Sequence, residues 1–498
     1  MNIVKSPSTN TSSKSRLQFA AASLCSLLFL TACSDSSDRS AAAQPIDPPE
    51  PQPESASIRF IHASPDAPLV NVVVNGSNAY LDLDYAASTG FLDVSAGAND
   101  LAVNGQVLNE LVRVLEADGF ESVADSKTTI IAGGELSSLA PIVVDNTAQN
   151  PGSDEVAVQV VHASPAAPAV DVYVTANETD LNDVEANFSF SFGESVDAGN
   201  LPAASYRIRV TLADTKTIAY DSGNVDLSGF AGASLLLAAI NTTNTTQQAS
   251  SPVQLLVATD DSQVVIQDQN TQVGLRVVHA SPDANAAAGG GVEVFATSSA
   301  LGDAPVEVID TFSYTDIVPG TDSHVAIPAG DYVVDVAPDT NNVADSVFTS
   351  GSLSLSAGTE YTVIASGRVL SDPDFSLLVS VEMARSIATH TSVNVIHAAP
   401  AAGNVDVYVT AAGAFSAAEV EGGIAGDPLL EGFAFGTVTG FVNIEPGAYD
   451  IRVLAGGVTA INVEGVELAA GALTSVIARG PEEMSGSLTD FGVLVVTN

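Results

Sequence analysis

Ile58-Arg59-Phe60-Ile61-His62-Ala63-Ser64-Pro65-Asp66-Ala67-Pro68 is a β-branched, apolar run closed by a histidine and broken by proline. Such a run predicts a strand entering a turn. The phrase returns at Val158 to Pro165, at Leu275 to Pro282 and at Val393 to Pro400, so His62, His162, His279 and His397 mark four copies. A second alternating segment follows each one, at Val70 to Val74, Val170 to Val174, Val292 to Ala296 and Val405 to Val409. Side chains alternate along a strand. Each histidine therefore shares a face with the apolar residues two and four before it. Arg59, Gln159, Arg276 and Asn394, three before, take the other face.

Outward from the phrase, Val, Ile, Thr and aromatic runs alternate with Gly, Asn, Asp and Ser turns about every ten residues, the pattern of an all-β sandwich. Helical periodicity is scarce, and short helical turns are expected near Leu181 to Ala186 and Ala417 to Ile424. A second signal recurs at Pro202 to Tyr206, Pro328 to Tyr332 and Pro446 to Tyr449. It predicts a turn and a strand whose first inward residue is a tyrosine able to hydrogen-bond backbone across the corner. A closing hairpin ends each copy. The fold expected is all-β: four tandem immunoglobulin-like sandwiches over residues 58–150, 151–270, 271–385 and 386–498, each with its own core.

Residues 1–32 have the order of an export signal, with Lys5, Lys14 and Arg16 ahead of the apolar stretch Leu17 to Leu30. The junction Leu30-Thr31-Ala32-Cys33 resembles the lipobox of bacterial lipoproteins. That resemblance implies lipidation of Cys33 and, with Ser34 next, retention at the outer membrane, on its surface or its periplasmic face. Residues 33–57 then form a Pro-rich tether, about 75 Å long if extended at about 3.1 Å per residue. Cys25 and Cys33 are the two cysteines, so the expected folded part has neither a disulfide nor a cysteine-based metal site or nucleophile.

The chain carries 15 Lys and Arg against 59 Asp and Glu. Loss of residues 1–32 removes three bases and no acids, giving 12 − 59 = −47. Nucleic acid and anionic headgroups are poor partners for such a surface. Two readings of the acidity stay open, solubility and divalent-cation binding. The scatter of the acids favours the first.

The string Val-Val-His-Ala-Ser-Pro-Asp-Ala-Pro-x-Val-Asp-Val-Tyr-Val resembles the signature of a bacterial exported family known as domain of unknown function 4397. Arg276 to Asp283 carries its start, His162 to Val174 most of the remainder, and Pro328 to Tyr332 a further turn. The resemblance implies a β-sandwich at the cell surface or in the periplasm and brings no catalytic residues. Two places depart from it: Asn285 to Val292 interrupts the third copy with Ala and Gly, and Ala399 replaces the serine in the fourth.

The motif histidines are expected to close the turn through Ser or backbone, because no second histidine stands at ligand spacing. A Ser/His hydrolase would need Ser64, Ser164 or Ser281 with an orienting acid, and no acid recurs. No metal, cofactor or catalytic set is therefore expected. Asp171, Tyr173, Glu293, Phe295, Asp406 and Tyr408 form a candidate ligand face, where a flat ring beside a carboxylate suits a glycan or peptide. The functional expectation is a non-enzymatic envelope lipoprotein for surface adhesion, scaffolding or spacing, with a membrane anchor and a surface glycan or protein as partner. A glycan- or calcium-binding module is the alternative.

Overall fold

The computed structural model describes residues 54–497 apart from 109, 148, 244–250, 384 and 482–489. The export signal, Cys33 and nearly all of the tether lie outside the described residues.

The first copy sets the pattern. Its strands are β1 (Ser55–Ala63), β2 (Val70–Val74), β3 (Ser77–Leu83), β4 (Leu92–Ser95), β5 (Gly97–Val107), β6 (Glu110–Ser122), β7 (Lys127–Gly133) and β8 (Ala140–Asp145). They form two sheets, in the orders β4-β1-β7-β8 and β3-β2-β5-β6. Ile58, Phe60 and Ile130 of one sheet meet Val72, Val74 and Leu101 of the other in a buried core. The closing hairpin is β7 with β8, as expected. The phrase strand β1 runs parallel to β7, with His62 opposite Ala132.

The other three copies repeat this arrangement. The phrase strands Glu155–His162, Val273–His279 and Thr391–His397 each pair in parallel with the first strand of their own hairpin. The chain is therefore an all-β, multi-domain sandwich protein built on eight principal sheets. Short helices occur at Leu181–Asp183 and Ala417–Glu421 as the sequence suggests, and beyond the expected places at Ala284–Ala288, inside the interruption of the third copy, and as single turns at Leu136–Ser138, Ser228–Phe230, Ser299–Leu301 and Val343–Asp345.

The sandwiches do not stand apart. Ile61, Ala63, Ile131 and Val144 on the outer face of the first pack into one buried cluster with Val161, Leu236, Ile240 and Leu256 of the second. Val278 and Ile364 of the third join Ile396, Ile477 and Val496 of the fourth in the same way. Each phrase strand is thus buried on both faces. Each such Ile or Leu contributes about 1.5–3 kcal/mol on leaving water, so neighbouring sandwiches are joined by core-like contacts. Each sandwich also keeps an apolar core between its own two sheets, and the joints are packed in addition to it.

The polar residue three before each histidine lies in these joints. Arg59 donates from Nε to Thr129 Oγ1 at 3.0 Å and from Nη1 to the Thr259 carbonyl. Thr129 donates to Asn146, and Asn146 to Gln159 across the joint. In the second joint Arg276 donates to the Thr497 carbonyl at 2.9 Å, and Asn394 to Ser380 Oγ at 2.8 Å. A third contact ties Arg385, just before the fourth phrase, to the first sandwich through the Ala67 carbonyl and Asp84 Oδ1, both at 2.6 Å.

Candidate functional site

The four motif histidines are 1–2% exposed. Each points into its own sandwich with the apolar set, as alternation requires. Nδ1 accepts the backbone N–H of the residue two on, namely Ser64, Ser164, Ser281 and Ala399, at 3.3–3.4 Å. A backbone N–H can only donate, so the ring proton sits on Nε2. In three copies that Nε2–H donates to the carbonyl six residues on, at Pro68 (3.1 Å), Pro168 (3.0 Å) and Gly403 (2.8 Å). Burial holds all four rings below the ordinary histidine value, and His62 and His279 fall to about 4.

The serines face elsewhere. Ser164 Oγ donates to Asn241 and Ser281 Oγ to the Gly367 carbonyl, while Ser64 Oγ lies 3.4 Å from Asp66. None of these hydroxyls is bonded to a motif histidine, so the contact that would activate a serine is missing from the geometry. Asp66 and Asp283 accept backbone N–H groups, from Leu136 at 2.7 Å and from Val369 at 2.9 Å. They pin the following loop to the phrase turn. The recurrent tyrosines do what the sequence suggests: Tyr206, Tyr332 and Tyr449 donate to the carbonyls of Pro202, Pro328 and Glu445, each four residues back.

The candidate ligand face is covered in two copies. Tyr173 and Asp171 are buried, as are Phe295 and Glu293. Lys216 lies over the Tyr173 ring at 4.5 Å and donates to its hydroxyl and to the Val184 carbonyl. Asp171 accepts from Ser189 and from Asp214 N, and Glu293 accepts from Asn341 N. In the fourth copy Asp406 and Tyr408 are half-buried, and Asp406 accepts from Gly432 N at 2.8 Å. Alternation puts these residues on the outer side of the strand, but loops fold over that side. Among the described residues, Glu293, Glu307 and Asp310 form a group of three whose carboxylate oxygens lie within 4.8 Å of one another. The recurrent acids hold backbone, and this trio does not repeat in the other copies.

Cavities are the feature that sequence reasoning missed. Between the facing sheets of the second, third and fourth copies lie apolar spaces of about 160, 290 and 250 Å³, each with the motif histidine in its wall. No motif encodes them, because a void depends on the summed volume of many small Val and Ala side chains.

The chain carries domains of the family described as Domain of unknown function (DUF4397). Two stretches match its model, residues 56–173 and 285–408. Each runs from one copy into the second strand of the next, ending at Tyr173 and at Tyr408. No curated relative matches the chain. Among solved structures it is similar to the Bacillus anthracis TIE protein, at 10% identity over 86% of this chain and 68% of that one, with a TM-score of 0.16. It is similar also to a putative cell adhesion protein from Bacteroides ovatus, at 10% identity, 47% and 97% coverage and a TM-score of 0.16. Two B repeat units of the Staphylococcus aureus collagen-binding protein match at 10% identity over 90% and 100%, with a TM-score of 0.11. Likeness at this level identifies neither a shared fold nor a shared activity.

Proposed function

We propose that this chain is a non-enzymatic envelope protein, anchored by lipid at Cys33 and displaying its sandwiches as an adhesion or scaffold body. One observation carries the reading: the phrase repeated in all four copies is engaged in architecture on both of its faces. Inward, the histidine closes a turn through backbone atoms. Outward, the strand builds the joint to the neighbouring sandwich. What the copies share is therefore a way of stacking sandwiches, and contact with a partner falls to loops and outer faces that differ between copies. The acidic surface keeps such a body soluble and off anionic membranes. Among the described residues no helix is long and apolar enough to cross a membrane, which leaves attachment in this reading to the lipid and the Pro-rich tether.

Protease shaving of intact cells tests the placement. Fragments from residues 58–498 released by unbroken cells, and identified by mass, are the expected result. Fragments that appear only after the outer membrane is opened would refute surface display and make the body periplasmic.

A further inference from the structure

The four closing hairpins turn through residues 134–139, 242–252, 367–375 and 480–491, and only the third of these stretches contains a base, Arg368. Backbone contacts hold that third loop in place. Asp283, beside the phrase turn, accepts Val369 N at 2.9 Å and Leu370 N at 3.2 Å. Arg368 N donates to the Pro373 carbonyl at 2.8 Å, which folds the loop back on itself. A site on a loop so held has little ordering left to do when a ligand arrives.

Arg368 lines a cleft of about 200 Å³ between this loop and the body of the third sandwich. Ala284, Val292 and Val336 are its buried floor, and half-buried Phe348 and Phe375 stand above them. The two rings meet edge to face with their centroids 4.7 Å apart. The rim lies at the protein surface, where Val347 is 53% exposed and Asp374 is exposed too. Ala284 belongs to the helix that interrupts the third copy, and its short side chain leaves the floor low.

The Arg368 guanidinium is a permanent cation. Its Nε is closed off from water and has no hydrogen-bond partner. Its terminal nitrogens reach water, and they too are without a partner among the described residues. Asp374 is its neighbour across a single parallel bridge, yet the two side chains make no ion pair. With 59 acids and 15 bases in the chain, an unpaired arginine at the edge of an apolar cleft sets the sign of what fits there.

We propose that this cleft binds a small monocarboxylate with an aromatic or branched apolar body, its carboxylate on the Arg368 guanidinium and its body against Phe348, Phe375 and Val336. The planar fork of an arginine matches the two oxygens of one carboxylate. An apolar space of about 150 Å³ holds benzene, so this cleft takes a ring and a short chain. Asp374 is solvated at the rim, where water screens its effect on the first carboxylate. It disfavours a second.

The test is calorimetric titration of the full chain at neutral pH with 3-phenylpropionate, 3-phenyl-1-propanol and 3-phenylpropylamine, which share a ring and a chain and differ in charge. The acid is expected to bind at about 4 mM or tighter, the affinity of a small ligand of ordinary efficiency. The alcohol should bind at least about ten-fold more weakly, the worth of a charge-assisted hydrogen bond, and the amine more weakly still. Propionate, which lacks the ring, should also lose at least about ten-fold. Arg368→Met should abolish the preference for acid over alcohol, and Arg368→Lys, which keeps the charge without the fork, should restore part of it. Phe375→Ala should weaken acid and alcohol alike. Should the Met variant fail to fold, salt reads the same contact in the native chain: added NaCl should weaken the acid several-fold and leave the alcohol within about two-fold. No binding of the acid, an acid no tighter than the alcohol, an amine preferred to the acid, a preference that survives Arg368→Met, or an acid affinity indifferent to salt would each overturn the proposal.

Discussion

Replacing His62 by Gln should make the first sandwich less stable at pH 8 and relatively more stable at pH 5. With its amide nitrogen at the Nε2 position the Gln can still donate to the Pro68 carbonyl, but its oxygen does not then stand where Nδ1 accepts Ser64 N at 3.3 Å. The loss at pH 8 is then about 1 kcal/mol. Acid acts on the wild type alone. Burial lowers the His62 pKa from 6.5 to about 4, chiefly by desolvating the charged ring. Between those values the unfolded chain binds more protons than the folded one, so stability is full above pH 6.5 and falls as the pH drops toward 4. A shift of 2.5 units corresponds to about 3 kcal/mol in full, of which about 2 kcal/mol is lost by pH 5. The variant escapes that loss, and the order of the two chains reverses on acidification. Pulse proteolysis in urea at both pH values, following the fragment that contains residues 58–68, reads the first sandwich separately. Equal losses in the two chains between pH 8 and pH 5 would refute the reasoning, because the carboxylates common to both would then account for the whole acid sensitivity.

Two further outcomes follow from the packing. Leu236→Ala, in the core shared by the first two sandwiches, should cost about 2–5 kcal/mol and lower the urea midpoints of both sandwiches together while sparing the third and fourth. A loss confined to the second would mean that the joint carries no coupling. Tyr332→Phe should cost about 1 kcal/mol by leaving the Pro328 carbonyl unpaired. The same change at Tyr206, whose hydroxyl bonds at a solvent-exposed corner, should cost less than half as much in the same assay.

The registers were legible because alternation is a local property. His162 with Val158 and Val160, and Val170 with Val172 and Val174, fall on the faces that periodicity assigns. The tyrosine corners were legible for the same reason, since donor and acceptor are four residues apart. The joints were harder to read. A polar residue at Arg59, Gln159, Arg276 and Asn394 looks like a solvent face, yet Ile61, Val161, Val278 and Ile396 share that face and are buried. An unbroken apolar run around one polar residue is the signature of a strand covered on both sides, with the polar group held by partners from the next domain. Parallel pairing of β1 with β7 joins residues about seventy positions apart and leaves no local trace. The covering of Tyr173 also depends on distant chain: Lys216 reaches the Tyr173 hydroxyl from one loop and is held by the Val184 carbonyl of another.

The four copies act as a substitution series for the phrase itself. The serine becomes Ala399 without moving the turn, because its backbone N–H, not its hydroxyl, meets the histidine. The Asp66 position becomes Ala166, and Asn241 supplies the oxygen instead, accepting from Ala166 N. The carbonyl partner is lost at Asn285, where a helix has replaced the turn. The histidine stays through all of these changes. Its Nδ1 acceptor is the side-chain hydrogen bond that every copy keeps, and it fixes the direction in which the chain leaves the strand. A turn so fixed places the next strand in the facing sheet, while the residues on either side of the histidine seat the neighbouring sandwich. One ring therefore orients the chain at the point where two cores meet. In the third copy alone the backbone no longer accepts the ring's one N–H proton, at Nε2, and the histidine is kept there with its Nδ1 bond by itself.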